Sequence, residues 1–102
     1  MATDREGVRV DVLLDEIGAS HAFVDALARA ELIRVEQDAE GAIVSFADAE
    51  RVRVGFLLTA ELEVNLAGVE VALHMRDTIF SLQRQFAELL AQLAAARRPP
   101  EG

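Results

Sequence analysis

The chain has 102 residues, a formal net charge of −8 and no cysteine. That length suits one compact domain, which buries roughly 60–65% of the surface its unfolded chain exposes and needs no staple of disulfide or metal. Without cysteine, thiolate zinc sites, disulfides and thiol catalysis are all excluded. An acidic chain whose ten cations are all arginine is repelled by phosphate backbones unless those arginines cluster.

No apolar stretch approaches the ~18 residues that span a bilayer, and no basic start leads into an apolar run. A cytoplasmic protein is the expectation. Met1 to Gly7 is polar and charged, and residues 1–9 are expected to form a flexible N-terminus, with Val8 to Val10 a short extended lead into the fold.

From Asp11 the pattern turns helical. Asp11 is placed to cap the first helix, Val12, Leu13 and Ile17 point inward, and Gly18 is a natural left-handed stop. Ser20 caps a second helix, whose apolar face is Phe23, Leu27 and Ala30. Two short helices joined through Gly18-Ala19-Ser20 read as a helix-turn-helix.

Leu32 to Val35 and Ala42 to Phe46 are then two β-favouring runs around the polar turn Asp38-Ala39-Glu40-Gly41. A hairpin directly after a helix-turn-helix is a wing. Asp48 opens a third helix through Val52, Phe56, Leu57 and Ala60 to about Glu63. Arg51 and Arg53 near its start, beside Asp48 and Glu50, read as a salt-bridged face.

Asn65 caps the last helix, which runs to about Ala96 without a proline. Leu66, Val69 and Leu73 line one face and dock on the domain. From Ala72 a second stripe begins: Met75, Ile79, Leu82, Phe86, Leu89 and Leu93. Its steps alternate three and four, the seam of a coiled coil. One chain cannot bury that seam, so those six residues are the candidate dimerisation surface. Arg97 and Arg98 suit the negative end of the helix, and residues 97–102, with Pro99-Pro100, are expected to form a disordered tail. The organisation is therefore a winged helix-turn-helix domain over 10–62 and a dimerisation helix over 63–96. The fold class is mostly α, with a small β-hairpin wing and a long, coiled-coil-forming C-terminal helix.

That order of elements resembles the MerR-like winged-helix superfamily across residues 10–95. Within it the chain is similar to the CbpM family of small chaperone modulators. The residues that carry the likeness are Glu63-Val64-Asn65-Leu66-Ala67-Gly68-Val69-Glu70-Val71-Ala72-Leu73, preceded by Phe56-Leu57-Leu58, with Phe46 and Asp48 at the start of helix three. Some DNA-binding MerR-like heat-shock repressors share the Asn-Leu-Ala-Gly segment. The resemblance implies a non-catalytic adaptor that binds the J-domain of a CbpA-type, DnaJ-like co-chaperone and blocks its action on Hsp70.

The residues themselves bear on that expectation. A helix that reads DNA needs Arg or Lys to meet base edges and phosphates. The second helix here, Ser20 to Ala30, offers Asp25 and Arg29. The Arg-Tyr pair typical of MerR helices is missing, and Val44 stands two residues before Phe46 where MerR wings carry an arginine. From Asp11 to Phe46 there are eight acids (Asp11, Asp15, Glu16, Asp25, Glu31, Glu36, Asp38, Glu40) against two bases (Arg29, Arg34), a net of −6. Such a face is matched to a basic helix, which J-domains are implied to present. The candidate partner-binding residues are Asp25, Arg29, Glu31, Glu36 and Asp38.

Other chemistries find little support. His21 and His74 lack metal-ligand spacing. Asp15-Glu16 and Glu61-Glu63 are carboxylates that do not share a helix face, with no nucleophile or glycine-rich loop beside them. There is no Trp or Tyr for a base-stacking ladder. No cofactor, metal, small-molecule ligand or membrane partner is expected. The alternative is a MerR-family transcriptional regulator that binds DNA as a dimer.

Overall fold

The computed structural model describes residues 6–97. In chain order they form β1 (Val8–Arg9), α1 (Val10–Ile17), α2 (His21–Arg29), β2 (Glu36–Asp38), β3 (Gly41–Val44), α3 (Phe46–Leu62) and α4 (Leu66–Ala96). The fold is mostly helical with a small antiparallel sheet and a long last helix, a winged helix-turn-helix. The tail beyond Arg97 and residues 1–5 lie outside the described residues, so the expectations of disorder there are not addressed.

The wing is a three-stranded sheet in the order β1-β3-β2, with Val8 opposite Val44 and Glu36 opposite Ile43. Val8 and Arg9 therefore belong to a sheet edge rather than to a flexible lead. Because β1 ends at Arg9, α1 starts at Val10, one residue before the expected cap. Asp11 sits in the first turn, where a carboxylate suits the helix dipole. The shift also changes the buried stripe to Val10, Leu13 and Leu14, with Ile17 half-buried, and leaves Val12 60% exposed.

Gly18 adopts the left-handed conformation at φ 75°, as expected of the stop to α1. Ser20 occupies the N-cap position of α2 with extended backbone, but its hydroxyl makes no capping bond. The helix ends at Arg29, so Ala30 is its cap. Val24 and Leu27 are its buried residues, with Phe23 half-buried. Phe23 meets Phe56 edge-on, ring centroids 5.6 Å apart.

The stop after α2 differs from the hairpin expected there. Glu31 lies at φ 60°, its NH donates to the Ala28 carbonyl at 3.0 Å, and the Leu32 NH reaches the Leu27 carbonyl at 3.0 Å. This pair of bonds is a Schellman stop, in which Leu32 packs back on the helix. Leu32 and Ile33 are 3% and 6% exposed and belong to the core, not to a strand. The β-favouring composition of Leu32 to Val35 reflects burial; the strand begins at Glu36. Correspondingly, Ala42 to Val44 are strand, Ser45 is the N-cap of α3 and Phe46 is its first residue. The Ser45 hydroxyl accepts the Asp48 NH at 3.0 Å.

Helix α3 ends at Leu62 with Glu63 at φ 54°, and the Val64 NH returns to the Leu58 carbonyl at 3.1 Å. Its buried positions are Ala49, Val52 and Gly55; Leu57 and Ala60, expected to face inward, are exposed. The Asn65 side chain accepts the Gly68 NH at 2.9 Å and caps α4. A Cβ at Gly68 would lie 2.5 Å from the Val64 side chain, so this first turn admits only glycine without a shift. Val69 and Leu73 are fully buried, whereas Leu66 is 42% exposed.

The core joins α1, α2, the Leu32-Ile33 segment, β3, the first half of α3 and the first two turns of α4. Beyond that α4 leaves the domain. At 31 residues it is about 46 Å long, and the radius of gyration is 18.7 Å against about 13 Å for a compact chain of 100 residues.

The α3–α4 approach rests on Gly55. A Cβ there would meet Val69 Cγ1 at 3.2 Å and Phe23 Cζ at 3.4 Å. Alanine is expected to be near neutral, its better helix propensity offset by crowding. Gly55→Val should lower the stability by about 1–3 kcal/mol, read as a lower urea midpoint at unchanged slope.

Candidate protein-binding surfaces

The helix-turn-helix and wing present one face whose chemistry follows from where α2 and the strands turn outward. The exposed positions of α2 are His21, Ala22, Asp25 and Arg29, spaced so that one helical face carries one acid and one base. Glu31 follows at the Schellman stop, also exposed, and Glu36 is exposed on the edge strand β2. Four of the five candidate partner-binding residues therefore stand at the surface together with the wing.

Asp38 does not. Its side chain is only 11% exposed and holds Arg9 in a two-pronged ion pair, Nη1 to Oδ1 at 2.5 Å and Nη2 to Oδ2 at 2.7 Å. The same carboxylate accepts the Glu40 NH at 2.8 Å, closing the turn, and Glu40 approaches Arg9 at 3.4 Å. Arg9 and Asp38 thus staple β1 to β2 across β3. The hydrogen bonds that Arg9 donates to Asp38 hold its guanidinium in the charged form and raise its pKa above the ordinary value.

Where the cations go decides the electrostatics. Arg53, on α3, reaches Glu16 of α1 at 3.2 Å and Glu50 at 2.9 Å, and these bonds raise its pKa. Arg76 of α4 lies 4.0 Å from Glu50 and 4.5 Å over the Phe80 ring. Arg51 donates to the Leu32 carbonyl at 2.9 Å and pairs with Asp77 of α4. The salt-bridged reading of Arg51 and Arg53 holds, but the partners come chiefly from α1, α4 and the Leu32 loop rather than from their sequence neighbours. On the helix-turn-helix and wing, Arg29 and Arg34 are the cations whose guanidinium has no partner among the described residues. Arg34 is anchored through its backbone NH, which donates to Asp48 at 3.0 Å.

His21 stands 3.3 Å from Asp11 at the helix-turn-helix corner, both exposed. His74 lies on α4. Among the described residues no cluster of three or more His, Cys, Asp or Glu has a metal-holding arrangement, and no helix is long and apolar enough to cross a membrane.

A second surface runs along α4. Met75, Ile79, Leu82, Phe86, Leu89 and Leu93 are each 51–62% exposed. Leu73 and Met75 are two residues, about 200°, apart around the helix. The seam therefore faces away from α3, and it begins while the other side of α4 is still docked. Positions flanking it are Arg76, Thr78, Gln83, Gln85, Leu90 and Gln92, none of them acidic.

Two helices in a tight corner, a three-stranded wing behind them and a projecting last helix define the winged helix-turn-helix class of regulatory modules. The model of the MerR HTH family regulatory proteins matches residues 8–90, and the chain belongs to that family. No curated protein and no solved structure matches it.

The exposed acids and the exposed stripe of α4 follow local patterns; the two arginine staples do not, since their partners lie 26 and 29 residues away. No local pattern announces such pairs. Because the pKa of Arg9 is raised, its contribution persists at every pH below the ordinary arginine value and is lost only as pH rises through the raised one. Arg9→Ala should accelerate amide exchange at Val8–Arg9 and Glu36–Asp38, by the same factor at pH 6 and pH 9 once corrected for intrinsic exchange.

Proposed function

We propose that the chain is a non-catalytic adaptor of the CbpM kind, a cytoplasmic chaperone modulator that binds the J-domain of a CbpA-type, DnaJ-like co-chaperone and keeps it from acting on Hsp70. The observation that carries this reading is the charge of the helix-turn-helix and wing: eight acids against three bases from Val8 to Phe46, one of the three, Arg9, being tied to Asp38. DNA affinity comes largely from releasing counterions as cations meet phosphates. Arginines elsewhere in the domain are occupied by the chain's own acids. A basic helix meets the same face favourably, and complementarity of that kind orients and speeds docking more than it tightens it.

The Asn65 to Gly68 segment behind the CbpM likeness is a helix-capping device. It speaks for the fold; the charge speaks for the function. The mechanism is steric. Asp25, Glu31 and Glu36 engage the basic helix of the J-domain, and the helix so covered is withheld from Hsp70. Pairing of two chains through the α4 seam completes the reading. Its flanks carry no acid and one cation, Arg76, which is turned to Glu50 and Phe80, so a second copy of an acidic chain meets no acid-on-acid barrier there.

A second reading is a transcriptional regulator that binds DNA as a dimer. The family match and the exposed Arg29 and Arg34 favour it; the net charge of the face opposes it.

Calorimetric titration with a CbpA-type J-domain should give saturable heat that weakens between 50 and 300 mM salt (roughly, as screening lengths shorten). Absence of heat at all salts, or a tighter complex with duplex DNA, would remove the adaptor reading. Light scattering should give a dimer, and Leu82→Glu with Phe86→Glu should give a folded monomer with unchanged far-ultraviolet helicity of the domain. A wild-type monomer at high micromolar concentration would contradict the seam.

A further inference from the structure

The open groove between the C-terminal stop of α2 and the start of α3 is the feature that the charge count does not exhaust. It measures about 550 Å³ and has apolar walls from Ala28, Leu32, Ile33 and Val35, with the carboxylates of Glu31 and Asp48 on its lining. We propose that this groove takes a cationic side chain, Lys or Arg, from a basic helix of the partner protein. The inference rests on the protein-binding reading above and names the point of the face where the partner is held.

The charges argue for that occupant. Glu31 is exposed, and its carboxylate has no partner among the described residues. It stands at the C-terminal end of α2, where the helix dipole adds further negative potential and so attracts a cation. Asp48 is fixed, one oxygen accepting the Arg34 NH at 3.0 Å. The surrounding helix-turn-helix and wing, Val8 to Phe46, carry eight acids against three bases, a net of −5. An anion or a nucleic-acid phosphate is repelled from such a site. A Lys or Arg can instead lay its aliphatic stem on the apolar wall and present its head to the carboxylates.

The groove is also held in shape before any partner arrives. The Leu32 NH is tied to the Leu27 carbonyl at 3.0 Å, and the Leu32 carbonyl receives Arg51 at 2.9 Å. A wall fixed in advance loses little freedom on binding. The opposing charge is Arg34, which lines the same groove and touches Asp48 through its backbone rather than its guanidinium.

Glu31 offers an unusual test because its backbone is at φ 60°, a conformation that favours glycine. Glu31→Gly removes the carboxylate and relieves the strain together. It should raise the melting temperature by roughly 4 °C or more while weakening the partner by roughly fivefold. Arg34→Gln should strengthen it. A residue with a merely structural role would move stability and binding in the same direction.

The experiment is amide-shift mapping of the full chain, titrated with a basic amphipathic helical peptide of lysine and leucine, on wild type and both variants. Shifts centred on residues 28–35 and 48, weakened in Glu31→Gly and strengthened in Arg34→Gln, are the expected result. Shifts centred elsewhere, no shifts, or shifts indifferent to Glu31 would overturn the proposal. Failure of the J-domain titration alongside a peptide that maps to the groove would count against the adaptor function and leave the groove standing. A J-domain that binds wild type and Glu31→Gly equally would do the reverse.

Discussion

Everything in this molecule depends on how closely α4 lies on α3. Gly55 lets Val69 approach so closely that even a Cβ would crowd it at 3.2 Å, and Leu73 completes a contact with no exposed surface. Arg51 sits one turn before Gly55 and fastens the same contact to its surroundings. One arm pairs with Asp77 of α4, the other holds the Leu32 carbonyl at the stop of α2. A single guanidinium thus ties the projecting helix to the loop that displays Glu31. Its fork of donors suits such a three-way joint, where lysine would offer a point charge.

From that joint the two surfaces follow. Docking by the Val69–Leu73 face turns the Met75–Leu93 stripe outward, so the seam is free for another helix on the side away from the domain. On the helix-turn-helix and wing Asp25 and Glu31 stand outward, while Asp38 and Glu16 are paired with Arg9 and Arg53, and Arg51 is spent on Asp77. The chain keeps the fold of the MerR HTH family of regulatory proteins; on the reading proposed above it is the charge of the face, not the fold, that selects the partner.

Much of this was legible in the amino-acid order. The four helices, the helix-turn-helix corner at Gly18, the Asn65 cap and the period of the seam are local signals, and the structure places each where its chemistry predicts. The misplaced strand at Leu32 to Val35 shows what local reading lacks. Three apolar residues around one arginine look alike whether they pair in a sheet or plug a core, and only the Schellman bonds of Glu31 and Leu32 distinguish the two. Val12 turns outward because α1 begins one residue before the cap that the sequence suggests, a consequence of β1 pairing with a strand more than thirty residues away. The inward face of α3 was blurred because its second half, Val54 to Leu58, is apolar all round. Asp38 looks like a surface acid, since nothing nearby in sequence reveals its pairing with Arg9, 29 residues away.

The claim that this face meets a basic protein and not DNA is tested most directly by competition. Fluorescently labelled J-domain bound to the chain would be challenged with increasing duplex DNA, and separately with unlabelled J-domain. The account predicts displacement by the J-domain alone, with DNA inert at physiological salt. Displacement by DNA at concentrations comparable to the J-domain would contradict it and return the chain to the DNA-reading members of its family.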